Sequence, residues 1–180
     1  MAGAVSEGAL LLLALALGRI TGVPPFERYR ADLPTVAIGL AGTLPLLGML
    51  RWCLGTRWEP MRHLVAMVRE YLTPHLAGAS TGGILLLSVM AGVGEEALFR
   101  GVIQAGLDER WPAMAAIGAA ALLFGAAHWL TTTYAVLAAL VGAYLGLLFV
   151  VTGNILVPIV THAAYDAIAL MTLIRSRESG

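Results

Sequence analysis

Three charged side chains lie inside a stretch of sequence that is otherwise apolar. The segment GVGEEALFRG contains Glu95, Glu96 and Arg100, and it falls within a hydrophobic run over 82–107. A charged residue at the centre of a membrane-spanning helix costs about 2.5–3.5 kcal/mol to insert. Three uncompensated charges would therefore cost roughly 8–10 kcal/mol, which rivals the stability of a typical domain. We expect these side chains to face the protein interior and to have partners there.

Helical geometry divides the three residues into a pair and a single acid. Glu96 and Arg100 are i, i+4 neighbours, so they share one face of a helix and can form a charge-assisted pair. Glu95 lies roughly 140° from Arg100 around a regular α-helix. A structural ion pair between two helices would account for Glu96 and Arg100. It would not account for Glu95, which needs a different partner.

Two later segments could supply that partner. FGAAHW contains His128, with Phe124 four residues earlier, so the phenyl ring can pack beside the imidazole. THAAYD contains His162 and Asp166, which are also i, i+4 neighbours. A single histidine in an apolar helix is more often a hydrogen-bonded core residue than a catalyst. Three hydrophobic segments that each contribute ionisable groups point instead to a functional site, because ionisable groups at membrane depth usually mark one.

A carboxylate, two imidazoles and a second acid are suited to activating water against a carbonyl group. Glu95 would act as general base and later as acid. His128 could assist proton transfer or polarise the carbonyl, and His162, oriented by Asp166, could stabilise the oxyanion. Serine and cysteine mechanisms fit this set poorly, and the single cysteine, Cys53, is expected to lie remote from it.

Zinc-bound water is the alternative to glutamate-activated water. Two histidines and one carboxylate form a catalytic zinc site when one coordination position stays open, which makes Glu95, His128 and His162 the candidate ligands. No HExxH helix is present. The residues alone leave both mechanisms open, and no cofactor other than zinc is indicated.

The composition indicates that a lipid bilayer surrounds these groups. Of the 180 residues, 59% are hydrophobic and 12% are charged, against roughly 45–50% and 25% in a soluble domain. The net charge is zero, so no electrostatic footprint for nucleic acid is present. About six segments approach the roughly 20 apolar residues that a spanning helix needs. They are 8–23, 34–50, 82–107, 112–130, 134–151 and 155–174.

One further segment, 58–77, has helical rather than continuous hydrophobicity. Its apolar residues at helical spacing are Met61, Leu64, Val65, Val68 and Leu72. The pattern predicts an amphipathic helix, either at the membrane interface or packed on the protein itself. Gly142 and Gly146 form a GxxxG pair that could mark a close helix crossing. The fold prediction is all-α, a polytopic transmembrane bundle of about six spans with one amphipathic interfacial helix, in a single domain over 1–180.

The distribution of arginine predicts the orientation in the membrane. If the spans alternate, both termini lie on the same side as the connection 51–77. That side then has six arginines and the opposite side has four. By the positive-inside rule, this difference favours cytoplasmic termini.

The three charged motifs resemble those of the CPBP intramembrane proteases, also called the Abi or CAAX-protease family. EEALFR matches the family's EExxxR, FGAAH matches FxxxH, and HAAYD matches HxxxN/D, in the same order. The resemblance covers about 82–174, the catalytic core. The segment 1–81 is similar only in having two spans and an amphipathic stretch.

The resemblance implies a helical membrane endopeptidase with defined roles for the motif residues. Glu95 would activate water, His128 and His162 would lie in the catalytic pocket, and Glu96 and Arg100 would support them. The family often has Asn at the position of Asp166, and an extra acid there could favour a metal or require a shared proton. Members have been described both as zinc metalloproteases and as glutamate proteases, and we favour the glutamate mechanism.

The resemblance also implies the class of substrate and the location. Family substrates include prenylated CaaX tails, leader peptides and C-terminal sorting signals, so the expected partner is a lipidated or membrane-anchored peptide or protein. The small number of spans before the first motif favours a protein of the bacterial inner membrane, of the myxosortase type. The alternatives from other classes are a non-catalytic immunity or scaffold protein that retains the motif, and a proton-coupled carrier.

Overall fold

Seven helices account for most of the residues that the structure describes. The computed structural model describes residues 2–76 and 78–175, and these contain no strand. The helices are α1 (Ala2–Thr21), α2 (Leu33–Gly55), α3 (Glu59–Leu76), α4 (Thr81–Asp108), α5 (Ala113–Ala127), α6 (Thr132–Thr152) and α7 (Leu156–Arg175). The predicted all-α class is confirmed, and α3 corresponds to the predicted amphipathic helix.

Four of the described helices are long and apolar enough to cross a membrane, namely α2, α4, α6 and α7. Helix α5 is apolar but has only 15 residues. Large apolar side chains point outward from several helices, and examples are Leu44, Leu86, Leu122, Leu140 and Val151, each more than half exposed. Such a surface requires lipid contact rather than water. The chain is therefore an integral membrane protein with a polytopic helical bundle.

Local sequence determines where several helices begin and end. Asp32, Ser80 and Thr131 precede α2, α4 and α6, and the side chain of each accepts a hydrogen bond from a backbone N–H in the first turn. An N-cap of this kind stabilises a helix by about 1 kcal/mol. Gly153 ends α6 with φ of +59°, a conformation that glycine adopts without a steric penalty.

Helix α4 changes its hydrogen-bonding pattern at the first motif. It is α-helical over Thr81–Glu96, π-helical over Ala97–Gln104, and α-helical again over Ala105–Asp108. Extended π-helical turns are rare and often occur at functional sites. Because the wider turn begins directly after Glu96, the angle of roughly 140° between Glu95 and Arg100 in a regular α-helix does not carry over to this segment.

The two glycines of the GxxxG pair allow α4 and α5 to approach α6 closely. A Cβ on Gly146 would lie 2.6 Å from Oε1 of Gln104, and a Cβ on Gly142 would lie 3.3 Å from the backbone of Ala121. Gln104 donates from Nε2 to the carbonyl of Gly146 at 3.1 Å. The predicted close crossing is therefore present, and polar side chains of α4 reach the backbone of α6 through it.

Helix α4 lies at the centre of the bundle, in contact with α1, α5, α6 and α7, while α7 also packs along α2. Helix α3 lies over α2, α6 and α7. Its Met61 and Leu64 are buried and pack with Cys53, Tyr134 and Leu137. The apolar face of the amphipathic helix thus packs on the protein itself, which was one of the two sequence-based alternatives.

The connection between α1 and α2 packs tightly on α4 at Gly101, in the π-helical segment. A Cβ at Gly101 would clash with the carbonyl oxygen and Cα of Pro25. We expect Gly101→Ala to lower the free energy of unfolding by about 1–3 kcal/mol, because overpacking forces the backbone apart. The measurement is the thermal unfolding midpoint of the purified protein in detergent.

Gly118→Ala is the matched control for that prediction. Gly118 lies within α5, and a Cβ at this residue would meet nothing within 4 Å apart from its chain neighbours and the backbone of its own helix. Alanine is favoured over glycine in a helix interior by about 1 kcal/mol, so this variant should be at least as stable as the wild type. Equal losses in both variants would show that the Pro25 contact is not the cause.

Candidate active site

A buried ion pair forms the base of the site. Nη1 of Arg100 lies 2.9 Å from Oε1 of Glu96, and the two side chains are 1% and 0% exposed. Arg100 also donates from Nη2 to the carbonyl of Gly142 at 2.7 Å, and its guanidinium lies 4.7 Å from the ring centre of Phe124. The pairing expected from the i, i+4 spacing is present. Arg100 thereby connects α4 to Phe124 of α5 and to the backbone of α6.

His162, on α7, is oriented by Glu96 rather than by Asp166 alone. Its Nδ1 lies 2.8 Å from Oε1 of Glu96, whereas its Nε2 lies 3.5 Å from Oδ2 of Asp166 and 4.0 Å from Oε2 of Glu95. The sequence-based assignment of orientation to Asp166 is therefore incomplete. Sequence spacing shows which groups are near each other on one helix, but the shorter contact is between helices.

His128 follows the last residue of α5. Its Nδ1 lies 2.8 Å from the carbonyl oxygen of Phe124, and its ring stacks on that of Phe124 with centroids 4.3 Å apart. A carbonyl only accepts hydrogen bonds, so we assign the proton of the neutral ring to Nδ1. Nε2 then faces Oε2 of Glu95 at 3.6 Å. The expected packing of Phe124 on His128 is present.

Glu95 lies where the two imidazoles converge. Its side chain is 11% exposed, and its Oε2 has no hydrogen-bond partner within the described part of the chain. A buried carboxylate oxygen in this situation requires a specific explanation, such as a role in catalysis. The structure therefore brings all six sequence-predicted site residues together: Glu95, Glu96, Arg100, His128, His162 and Asp166.

A cavity of about 270 Å³ adjoins this cluster. Its polar lining consists of Glu95, His128, Tyr134, His162, Tyr165 and Asp166, together with the thiol of Cys53. The remaining walls are apolar side chains of α2, α3, α5, α6 and α7. Such a cavity can hold a few apolar side chains beside the carboxylate and imidazoles.

The expectation that Cys53 lies remote from the site is wrong. Cys53 lines the same cavity as Glu95 and His162, although it is far from both along the chain. The reason is the packing of α2 against α7, which brings the C-terminal end of α2 to the cavity. Sequence distance does not measure distance between packed helices.

The three candidate metal ligands do not form a preformed metal site. No group of three or more His, Cys, Asp or Glu side chains in the described ranges is arranged to hold a metal ion. The donor atoms are chemically suitable, but Oε2 of Glu95 lies 4.0 Å from Nε2 of His162. Tetrahedral zinc with bonds of about 2.0–2.2 Å holds its ligand atoms about 3.3–3.6 Å apart. Zinc binding would therefore require these side chains to move together.

Sequence reasoning missed two residues near the cluster. Glu7, on α1, packs against the first-motif helix, because its carbonyl oxygen would lie 2.7 Å from a Cβ on Gly94. An acid within an apolar segment was a signal that could have identified it. Tyr134 lines the cavity but belongs to no motif, so the sequence contained no comparable signal for it.

Comparison with known proteins matches the part of the chain that contains the site. The family model described as type II CAAX prenyl endopeptidase Rce1-like matches residues 77–168, or 92 of the 180 residues. All six clustered residues lie within this range. No curated protein and no solved structure matches the chain.

Proposed function

Because the chain belongs to the Rce1-like family of type II CAAX prenyl endopeptidases, we propose that it is an intramembrane endopeptidase that uses Glu95 to activate water. One observation carries the proposal. Oε2 of Glu95 lies between Nε2 of His128, at 3.6 Å, and Nε2 of His162, at 4.0 Å, at the wall of an apolar cavity. A general base held beside two imidazoles is suited to hydrolysis of a peptide bond.

In the proposed reaction, Glu95 accepts a proton from a water molecule as the oxygen of that water attacks the scissile carbonyl carbon. The carbonyl π-electrons move to oxygen and form a tetrahedral oxyanion. As this intermediate collapses, the C–N bond breaks and Glu95 returns the proton to the departing amine. His128 and His162 orient the water and the carboxylate.

Glu96 and Arg100 have a supporting role in this proposal. Glu96 contacts both Nη1 of Arg100 and Nδ1 of His162, so one carboxylate fixes the cation and the imidazole together. The contact to Nδ1 directs Nε2 of His162 towards Glu95 and Asp166. Precise orientation of this kind matters because small displacements of reacting groups lower the rate strongly.

The substrate class follows from the site and from the family. We propose a peptide or protein segment at the membrane, such as a CaaX-like tail, a leader peptide or a C-terminal sorting signal, with or without a lipid anchor. The apolar walls of the cavity would accept aliphatic groups next to the cleaved bond. We further propose that the protein lies in a bacterial inner membrane with cytoplasmic termini, as the arginine distribution predicts.

The contacts of Glu95 favour a protease over the non-catalytic alternatives. An immunity or scaffold protein could use Glu96 and Arg100 as a structural ion pair between helices, since that pair is complete without Glu95. It would have no need for a buried carboxylate directed at two imidazoles. A carrier would need polar groups along a path, whereas the ionisable groups here lie close together beside a single cavity.

The test is peptide cleavage by the purified protein in detergent. Lipidated and unlipidated C-terminal tails are incubated in H₂¹⁸O, and mass spectrometry identifies the products. We expect one peptide to be hydrolysed with ¹⁸O in the new carboxylate. Cleavage that survives a chelator supports glutamate-activated water, and cleavage restored only by added zinc supports the zinc version. No cleavage of any tail would favour a non-catalytic module.

Replacement of the cavity thiol separates this proposal from a cysteine-protease mechanism. Cys53 packs with Met61 and Leu64, and within the part of the chain that the structure describes no carboxylate or imidazole hydrogen-bonds to its thiol. A thiol without a neighbouring base is a weak nucleophile. We therefore expect Cys53→Ser to keep kcat within about threefold of wild type. Loss of all cleavage in this variant would support thiol catalysis instead.

A further inference from the structure

The cavity contains few groups that can donate a hydrogen bond to an oxyanion. Ionised Glu95 and Asp166 only accept hydrogen bonds. Nδ1 of His128 is engaged by the carbonyl of Phe124, and Nδ1 of His162 is engaged by a carboxylate. The Nε2 atoms of both rings face Glu95. Apart from the thiol of Cys53, the other possible donors in the lining are two phenol hydroxyls.

Tyr134 is the phenol that packs beside His128. Its ring centroid is 6.2 Å from that of His128, in an edge-on arrangement. Tyr165 also lines the cavity, but within the described part of the chain its ring makes no ring contact with His128 or His162. Of the two hydroxyls, that of Tyr134 is therefore the better placed for a carbonyl that Glu95-activated water attacks.

The ring of Tyr134 is held by contacts that do not involve its hydroxyl. The residue lies in the first turn of α6, where its backbone N–H donates to Oγ1 of Thr131 at 3.1 Å. Its ring packs on the cluster of Cys53, Met61 and Leu64, which belong to α2 and α3. A side chain anchored by its ring can present its hydroxyl without reorganisation when charge develops.

We propose that the hydroxyl of Tyr134 donates a hydrogen bond to the scissile carbonyl oxygen as it becomes an oxyanion. The phenol keeps its proton throughout, so the proton balance of hydrolysis is unchanged. The inference rests on the proposed protease function. It also explains how the site stabilises negative charge although residue 166 is an acid, which cannot donate a hydrogen bond when ionised.

The test is the steady-state kinetics of Tyr134→Phe on the peptide that the wild type cleaves. Loss of one oxyanion donor lowers kcat by about 10²- to 10³-fold, and we expect a fall in this range with KM changed by less than about threefold. Tyr144→Phe is the matched control, because it removes a phenol hydroxyl from the same helix. The Tyr144 hydroxyl donates to the carbonyl of Gly42 at 2.8 Å, away from the cavity, so kcat should stay at the wild-type value.

A second measurement separates oxyanion stabilisation from a structural effect. A peptide trifluoromethyl ketone binds as its tetrahedral hydrate, which mimics the intermediate, whereas the product peptide has a planar carboxylate. Tyr134→Phe should weaken binding of the ketone in proportion to the loss of kcat/KM, and binding of the product should not change. Equal weakening of both ligands would overturn the inference. If Tyr134→Phe unfolds at a clearly lower temperature than the wild type, it is replaced by Tyr134→Leu, which keeps an apolar side chain against Met61 and Leu64.

The outcomes distinguish this inference from the proposed function. If the wild type cleaves, Glu95→Gln does not, and Tyr134→Phe retains kcat within about threefold, only the role of Tyr134 is wrong. If Glu95→Gln cleaves as fast as the wild type, the proposed function itself fails. A larger loss of kcat in Tyr165→Phe than in Tyr134→Phe would assign the donor to the other phenol and also overturn the inference.

Discussion

Glu95→Gln will lower the rate of peptide cleavage by about 10²- to 10⁴-fold, the range that general base catalysis contributes, while the protein still accumulates in the membrane. The amide keeps the size and shape of the side chain but cannot accept the proton of the attacking water. Folding should persist, because Glu95 takes no part in the buried pair of Glu96 and Arg100. His128→Ala should likewise abolish cleavage without preventing accumulation.

The measurement is kcat on an identified peptide, together with the thermal unfolding midpoint of each variant. Glu59→Gln is the matched control, because it makes the same change of side chain on an exposed surface, where Glu59 pairs with Arg62. This control should cleave at the wild-type rate. If Glu95→Gln also cleaved at that rate, Glu95 would not be the base, and a non-catalytic use of the motif would become the better interpretation.

Arg100→Ala will have the largest effect on stability, with a loss of about 3–5 kcal/mol in the free energy of unfolding. The variant should accumulate poorly or unfold at low temperature. Removal of the guanidinium leaves the carboxylate of Glu96 buried at 0% exposure without its cation. It also deprives the carbonyl of Gly142 of its hydrogen bond from Nη2.

Two further variants show whether the buried pair is the cause. Arg62→Ala removes the cation from an exposed pair with Glu59 at 3.1 Å, and we expect a loss of no more than about 1 kcal/mol. The double variant Glu96→Gln/Arg100→Met removes both buried charges, and it should recover part of the stability that Arg100→Ala loses. If Arg100→Ala is as stable as Arg62→Ala, the pair does not hold the bundle together.

The two predictions act on different properties of the same helix. Glu95→Gln should remove cleavage and preserve folding, whereas Arg100→Ala should remove folding and cleavage together. A non-catalytic module would also lose its fold in Arg100→Ala, but its biological activity would survive in Glu95→Gln. The comparison of these two variants therefore separates catalysis from structural support within the EEALFR motif.

Contacts between residues close in sequence could be predicted, because helix geometry determines them. The spacing of four residues placed Glu96 beside Arg100 and Phe124 beside His128, and both contacts are present. The helical class of the chain followed from its apolar segments in the same way. The π-helical segment after Glu96 had no such signature, because a change in hydrogen-bond register depends on contacts with neighbouring helices.

The sequence by itself therefore determined the helices, their apolar surface, and the set of ionisable residues that must share an interior site. Only the tertiary structure decided how those residues meet. It placed Glu96 against Nδ1 of His162, and it brought Cys53 and Tyr134 into the cavity that Glu95 lines. The physical reason is that a short helical spacing fixes relative positions on one helix, whereas contacts between helices depend on how each helix is rotated and packed.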